Sequence, residues 1–334
     1  MVGAGAFGRN HARVYHDLQQ QGEAELVALV DADSARANAI ASQFGARAFA
    51  SVKDMLREAR PQAASVAVPT VHHLAVAREL MEAGVDVLIE KPVATSLAEA
   101  DELIRVAQQG HRVAQVGHLE RFNPAVRATV PIITKPMFFE IHRLSVFTPR
   151  ALDVDVVLDL MIHDIDIVLS FVNSPVKEVR AVGLPILSGK VDIANVRMEF
   201  ESGCVANLTA SRVSTEKVRK VRFFQPQQYI SIDYSRQDLL VLTVDPAMVA
   251  AAMATGSVAA EALTSLIRPA KPAITLEEPL CAELRSFLEA VRNRTRPVVN
   301  LEDGRRALAV ALDILSAIRE HNRLLRLDSV WVAK

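Results

Sequence analysis

A lysine, a histidine and a few carboxylates stand where proton transfer is chemically reasonable. Glu90-Lys91-Pro92 closes the apolar run Val85–Ile89. A lysine held beside a proline at the carboxyl edge of a strand can reach a substrate hydroxyl. A single lysine otherwise snorkels over a surface. Asp159 and His163 lie four residues apart in an apolar stretch from Asp153 to Val172. If that stretch is helical, the two share a face. A histidine so placed can take a hydroxyl proton near neutral pH, and a carboxylate can fix its tautomer or support its charged form. Asp164 and Asp166 read as structural or solvated acids.

Gly3-Ala4-Gly5-Ala6-Phe7-Gly8 has the pattern G-x-G-x-x-G. Such glycines permit a tight turn and a close backbone approach to a pyrophosphate, with a helix N-terminus behind it. By itself the pattern is weak. Its context is stronger, because a helical pattern follows and Asp31 ends the next strand-like run 23 residues after Gly8. An acid at that place accepts the ribose hydroxyls and repels a 2′-phosphate, which favours NAD over NADP. Arg36 tempers that preference, unless it only faces solvent from a helix.

These groups need elements to hold them. Leu26–Val30, Ala63–Val68, Val85–Ile89 and Arg112–Val116 read as strands. Helical stretches Ser34–Phe44, His73–Ala83 and Leu97–Gln109 alternate with them, the last opened by a capping box at Ser96 and Glu99. Strands alternating with helices imply a parallel, doubly wound α/β sheet. After Phe122 the pattern changes: prolines at 124, 131, 136 and 149 precede the Asp153–Val172 helix. Successive β-like runs follow at 176–182, 194–200, 205–211, 218–224 and 229–232, which suggests an antiparallel or mixed sheet. Two helices, near Glu283–Arg292 and Gly304–Leu325, complete the chain. The expected division is residues 1–120 for dinucleotide binding and 121–334 for substrate binding and oligomerisation. Whether the last helices pack back on the first region stays open. Only Met1 and Val2 precede the glycine loop, too few for a central strand of about five residues. The reading expects apolar residues added ahead of Met1 to raise the melting temperature.

Composition narrows the classes further. Of 334 residues half are hydrophobic and 23% charged, with net charge −1, which excludes a disordered chain. The balance gives no support for nucleic-acid binding. Cys204 and Cys281 alone offer neither a disulfide framework nor a cysteine zinc module. The weakly polar run Ala247–Ala260 is too short to span a bilayer, and no signal peptide is evident. A cytoplasmic setting and no membrane partner are expected.

Together these residues resemble the Gfo/Idh/MocA family of glucose–fructose and inositol oxidoreductases. The matching features, in family order, are Gly3-x-Gly5-x-x-Gly8, Pro69-Thr70-x-x-His73, Glu90-Lys91-Pro92 and Asp159-x-x-x-His163-x-x-Asp166. Met161 departs from the family pattern, which often has glycine two residues before the histidine. The resemblance implies an N-terminal Rossmann domain and a C-terminal α/β domain with a large, mostly antiparallel open sheet. A homodimer or homotetramer would follow. It implies catalytic roles for Lys91, His163 and Asp159. It also implies cofactor contacts from the glycine loop, Asp31, Arg36, Pro69, Thr70, His73, Glu90 and Lys91, and no metal. Within the family, Gly117-His-Leu-Glu-Arg-Phe-Asn-Pro124 is similar to a segment of UDP-N-acetylglucosamine 3-dehydrogenases. That likeness implies oxidation at C3 of a UDP-N-acetylhexosamine. Arg121 would then face a diphosphate and Asn123 a sugar hydroxyl or amide. Alternatively, Arg121 makes a junction salt bridge and Asn123 caps a helix. Arg143 and Arg150 are further anion candidates. The competing expectations are a dehydrogenase of a free sugar, inositol or other polyol, a non-catalytic NAD(H) sensor, and a metal-dependent hydrolase built on His72, His73, His163 and Asp164.

Overall fold

The computed structural model describes residues 1–148, 153–254 and 266–324. The chain divides into two compact units. The first comprises Met1–Phe122 and Glu277–Ala309, the second Asn123–Leu276 and Val310–Lys334.

In the first unit, helices α1 (Ala6–Gln20), α2 (Ser34–Phe44), α3 (Val52–Glu58), α4 (His73–Glu82) and α5 (Leu97–Gly110) alternate with strands. The strands are β1 (Ala28–Val30), β2 (Arg47–Phe49), β3 (Ala63–Val66), β4 (Asp86–Glu90) and β5 (Ala114–Gly117). β1 pairs in parallel with β2, and β3, β4 and β5 pair in parallel in that order. Val2 joins the two groups, bridging Val30 on one side and Val66 on the other, both in parallel. The spatial order β2, β1, Val2, β3, β4, β5 is that of a Rossmann sheet. Its switch point lies at Val2, immediately before the glycine loop.

Local chemistry sets the element ends. The Asp33 carboxylate accepts from Arg36 N at 3.1 Å to cap α2, and Gly45, with φ of +70°, closes it in the left-handed region. Ser96 caps α5 through Glu99 N at 3.2 Å. The Glu99 carboxylate turns back to Thr95 N and Oγ1 at 2.8 and 2.6 Å rather than to Ser96, so the expected box is shifted by one residue. β4 is buried at every position, as a parallel strand covered on both faces must be. A late helix, α9 (Pro279–Asn293), returns to this unit and packs Leu284 and Phe287 against Leu18, Leu29 and Leu88.

The second unit carries α6 (Pro124–Thr129), β6 (Phe138–Val146), α7 (Ile162–Phe171), strands β7 to β13 and α8 (Pro246–Ala254). The strands are β7 (Val176–Leu184), β8 (Ile193–Phe200), β9 (Val205–Ser214), β10 (Val218–Gln225), β11 (Gln228–Asp233), β12 (Asp238–Val244) and β13 (Ile267–Ala270). Their order is β13-β12-β11-β10-β6-β9-β8-β7, antiparallel throughout except between β6 and β9. Alternation fixes the faces: Ala194, Val196, Met198 and Phe200 of β8 are buried, whereas Asn195 and Arg197 are exposed. α7 covers the buried face, with Phe171 5.8 Å from Phe223. The final helix, α10 (Leu301–Leu324), begins in the first unit and continues in the second.

The expected helix 153–172 is present over 156–171, but its pitch is not uniform. Val157–Met161 forms a π turn, and a regular α-helix begins only at Ile162. No helix among the described residues is long and apolar enough to cross a membrane.

Candidate active site

The three glycines of the first loop have three different physical reasons. Gly3 sits at φ +95°, and a Cβ there would stand 2.5 Å from Ala67 O. A Cβ on Gly8 would stand 1.9 Å from Gly3 O, so the helix can begin this close to the loop only without a side chain. Gly5 is different: nothing lies within 4 Å of its missing Cβ. It precedes the first turn of α1, whose N–H groups have no acceptor inside the helix. That open concavity against a helix N-terminus is the cradle a pyrophosphate requires. Ala6 and Phe7 form the exposed start of α1.

Asp31 directly follows β1 and faces the same loop. Its Oδ2 accepts from Ala4 N at 2.6 Å and its Oδ1 from Asp33 N at 2.9 Å. Arg36 adds two bonds, Nε to Oδ2 at 3.2 Å and Nη2 to Oδ1 at 2.8 Å. Burial works to raise this carboxyl. The Arg36 guanidinium and the two N–H donors outweigh it and hold the group below its usual range. Arg36 is therefore neither a solvated bystander nor a ready phosphate ligand, because its guanidinium is held on the acid it was expected to oppose.

At the carboxyl end of β3, Pro69 and Thr70 open a short 3₁₀ turn that leads into α4. His73, expected among the cofactor contacts, is buried at 1% exposure. Its Nδ1 lies 3.0 Å from Pro92 O and its Nε2 3.0 Å from Val68 O. Burial lowers its pKa, and a neutral ring donates to one of these carbonyls only. Whichever nitrogen carries the proton, its N–H is spent on a backbone carbonyl, and His73 braces β3 against the turn after β4. It does not present a donor to a ligand.

Glu90 ends β4 and Lys91 follows it, and the Lys91–Pro92 bond is cis. The Glu90 carboxylate also departs from the expected cofactor contact. It points inward, with Oε1 2.8 Å from His11 Nε2 and Oε2 accepting from Lys91 N at 3.3 Å. His11 is fully buried on α1 and escaped the sequence reading. The signal was a lone histidine three residues beyond Gly8, on the core-facing side of the helix. Glu283, on α9, is a second buried acid that escaped notice. Burial, and then the Glu90 charge, push its carboxyl well above the usual range.

In the second unit, Asp159 falls within the π turn and His163 in the first turn of α7. The widened turn replaces the regular i, i+4 stacking that the sequence predicts. Asp164, next to His163, is buried and receives a two-pronged ion pair from Arg143 of β6, at 2.7 and 2.8 Å. Arg143 also stacks 5.1 Å from the Tyr234 ring centre. This arginine, an anion candidate in the sequence, instead anchors α7 to the sheet. Asn123 takes the second of its two expected roles, the helix cap. It is 2% exposed, its Oδ1 caps Ala125 N at 3.1 Å, and its Nδ2 donates to Tyr234 O at 3.0 Å. Those bonds leave its amide serving the fold rather than a sugar. Arg121 lies half-buried in the 3₁₀ turn Leu119–Phe122. Arg150 lies outside the described residues. Among the described residues no group of three or more His, Cys, Asp or Glu could hold a metal ion.

Comparison with known proteins agrees with this geometry. Residues 1–118 match the family model for oxidoreductases with an NAD-binding Rossmann fold, and residues 136–230 match the GFO/IDH/MocA C-terminal domain. The chain is 35% identical to UDP-N-acetylglucosamine 3-dehydrogenase from Acidithiobacillus ferrooxidans, over 95% of this chain and 96% of that protein. The chain belongs to the Gfo/Idh/MocA oxidoreductase family. A solved structure of the same Acidithiobacillus enzyme superimposes with a TM-score of 0.84, again covering 95% and 96%. Inositol 2-dehydrogenase from Rubrobacter xylanophilus is 30% identical over 64% of each chain. As a member of this family the protein is an NAD-binding dehydrogenase, and the open cradle at Gly5 with Asp31 beyond it fits that cofactor.

Proposed function

We propose that this oxidoreductase oxidises a secondary hydroxyl of a UDP-N-acetylhexosamine, with C3 of UDP-N-acetylglucosamine the foremost candidate, to the 3-keto sugar. The observation that carries this reading is the end-to-end likeness to the Acidithiobacillus 3-dehydrogenase. The inositol dehydrogenase likenesses are weaker, 30% identical over 64% of the chain or 23% over 99% of it. NAD, when bound, supplies the acceptor for the hydride leaving the ring carbon. His163 takes the hydroxyl proton, and Lys91 stabilises the developing alkoxide and shares in moving the proton. Asp159 orients that pair or supports its charge. Arg121, with Arg150, is assigned to the diphosphate of the substrate. The first unit, Met1–Phe122 with Glu277–Ala309, serves the cofactor, and the second serves substrate and oligomer contacts in a cytoplasmic homodimer or homotetramer.

The direct test incubates the protein with NAD and UDP-N-acetylglucosamine. NADH formation is followed optically and the product identified by mass spectrometry, two hydrogens lighter than the substrate. If inositol or another free polyol reduces NAD and the sugar nucleotide does not, the second reading replaces the first. The inositol dehydrogenase relatives are what favour that second reading.

A further inference from the structure

We propose that His11 is a positioning residue for Lys91, acting through Glu90, so that the helix behind the dinucleotide loop holds the lysine in register. This rests on the reading of Lys91 as catalytic. His11 lies on α1, one turn after the glycine loop, and leans edge-on against Phe7 of that loop with ring centres 5.2 Å apart. Its Nε2 donates to Glu90 Oε1 at 2.8 Å, since a carboxylate only accepts. The other oxygen of Glu90 accepts the backbone N–H of Lys91 at 3.3 Å. One carboxylate thus joins the cofactor helix to the residue that bears the amine. Glu90 has little room to drift, because a Cβ on Gly117 would lie only 2.8–2.9 Å from its carboxylate atoms.

The surroundings make His11 the directional partner in this cluster. Glu283 approaches Glu90 from α9, and burial together with the Glu90 carboxylate pushes its carboxyl well above the usual range. Tyr15, one turn further along α1, spends its hydroxyl on Ser65 Oγ at 2.7 Å. His73 approaches from α4 with both ring nitrogens on backbone carbonyls. Of the polar groups around Glu90, His11 alone makes a side-chain hydrogen bond to its carboxylate among the bonds described above, and so aims it. Without that donor a buried carboxylate seeks other partners, and the backbone at Lys91 moves with it.

The test uses full-length His11→Ala, His11→Gln, Lys91→Ala and the double alanine variant. NAD affinity is read by calorimetry, melting temperature by scanning, and turnover with UDP-N-acetylglucosamine. His11→Ala should lower kcat by about 10- to 100-fold, the scale of a misplaced reacting group, while the NAD Kd changes far less. His11→Gln, which keeps a side-chain N–H able to reach Glu90, should restore most of the rate. In the Lys91→Ala background, His11→Ala should have no further effect on residual turnover. Should His11→Ala fail to fold, His11→Asn, too short to reach Glu90, must lose turnover where His11→Gln does not. Normal kcat in His11→Ala, or losses that multiply in the double variant, would overturn the proposal while leaving Lys91 catalytic. Normal turnover in Lys91→Ala would instead overturn the reading of Lys91, and the positioning role with it.

Discussion

Alanine at Gly5 and alanine at Gly8 are the same chemical change three residues apart, and they should have opposite consequences. Around Gly5 nothing lies within 4 Å of the added carbon, and its φ of −66° suits alanine. A stiffer unfolded chain gains about 0.4–1 kcal/mol. Loss of glycine as the residue capping α1 costs a similar amount. The two offset, so the melting temperature should hardly move. At Gly8 the same carbon meets Gly3 O at 1.9 Å and Gly3 C at 2.9 Å. Both are backbone atoms, and Gly3 N is bonded to Val30 O at 2.8 Å, so neither can yield cheaply. Overpacking of about 3 kcal/mol, the upper end of the usual range, lowers Tm by roughly 6–12 °C in a unit of this size. The ranking reverses for the cofactor. A methyl at Gly5 fills the cradle and displaces the pyrophosphate from the first-turn N–H groups. Losing one charge-assisted bond costs about 1.5–3 kcal/mol, or roughly 10- to 150-fold in Kd. Scanning calorimetry and NAD titration read the two effects separately. A Gly5→Ala protein that binds NAD as tightly as wild type, or that loses as much Tm as Gly8→Ala, refutes the reasoning.

Lys91→Ala and His163→Ala should each lower kcat by about 100-fold or more while NAD binding persists, checked by steady-state kinetics beside titration. Asp31→Asn removes the negative charge facing the ribose and frees Arg36, so the ratio of NADP to NAD affinity should rise; an unchanged ratio counts against Asp31 as the selector. Truncating either member of the buried Arg143–Asp164 pair should cost about 3–5 kcal/mol in urea unfolding, because it strands a buried charge. Glu283 supplies a pH signature. Its folded-state pKa is raised, so the folded protein holds a proton that the unfolded chain has released. Stability contributed there is complete below the unfolded value near pH 4.3 and declines as pH rises toward the folded one. Glu283→Gln should flatten that decline in denaturant midpoints measured across pH.

Much of this architecture was legible because its signals are local. Asp33 before α2 and Gly45 after it fix that helix to the residue, and Gly3 with Gly8 marks the cofactor loop before any coordinates. β2 escaped because three residues, Arg47 among them exposed, carry no periodic signal. β6 escaped because Glu140, His142 and Arg143 interrupt its apolar pattern. Arg143 sits on the buried side only because Asp164, 21 residues later, meets it there. The site was legible by residue type and less so by role. His73, Glu90 and Asn123 stand where the motifs put them, yet their polar atoms are bound to backbone carbonyls, a buried histidine and a helix cap. His11 lies 79 residues from Glu90 and Pro92 lies 19 from His73, which no local pattern shows, whereas the Asn123 cap on Ala125 N is local and was one of the two readings the sequence allows. The π turn at Val157–Met161 was invisible for a related reason: periodicity gives an average pitch, not one inserted residue.

The return of Pro279–Asn293 into the first unit has a consequence for how the chain is made. That unit is discontinuous, and Leu284, Phe287 and Ala290 belong to the core formed by Leu18, Leu29 and Leu88. A ribosome delivers Phe122 long before Ala309, with a delay of roughly 10–40 s at ordinary synthesis rates. During that interval the nascent Rossmann segment displays an apolar groove that nothing of its own can fill. Excising residues 1–122 for expression should therefore give a chaperone-dependent, aggregating fragment. A fusion that supplies 277–309 through a short linker should give a soluble one.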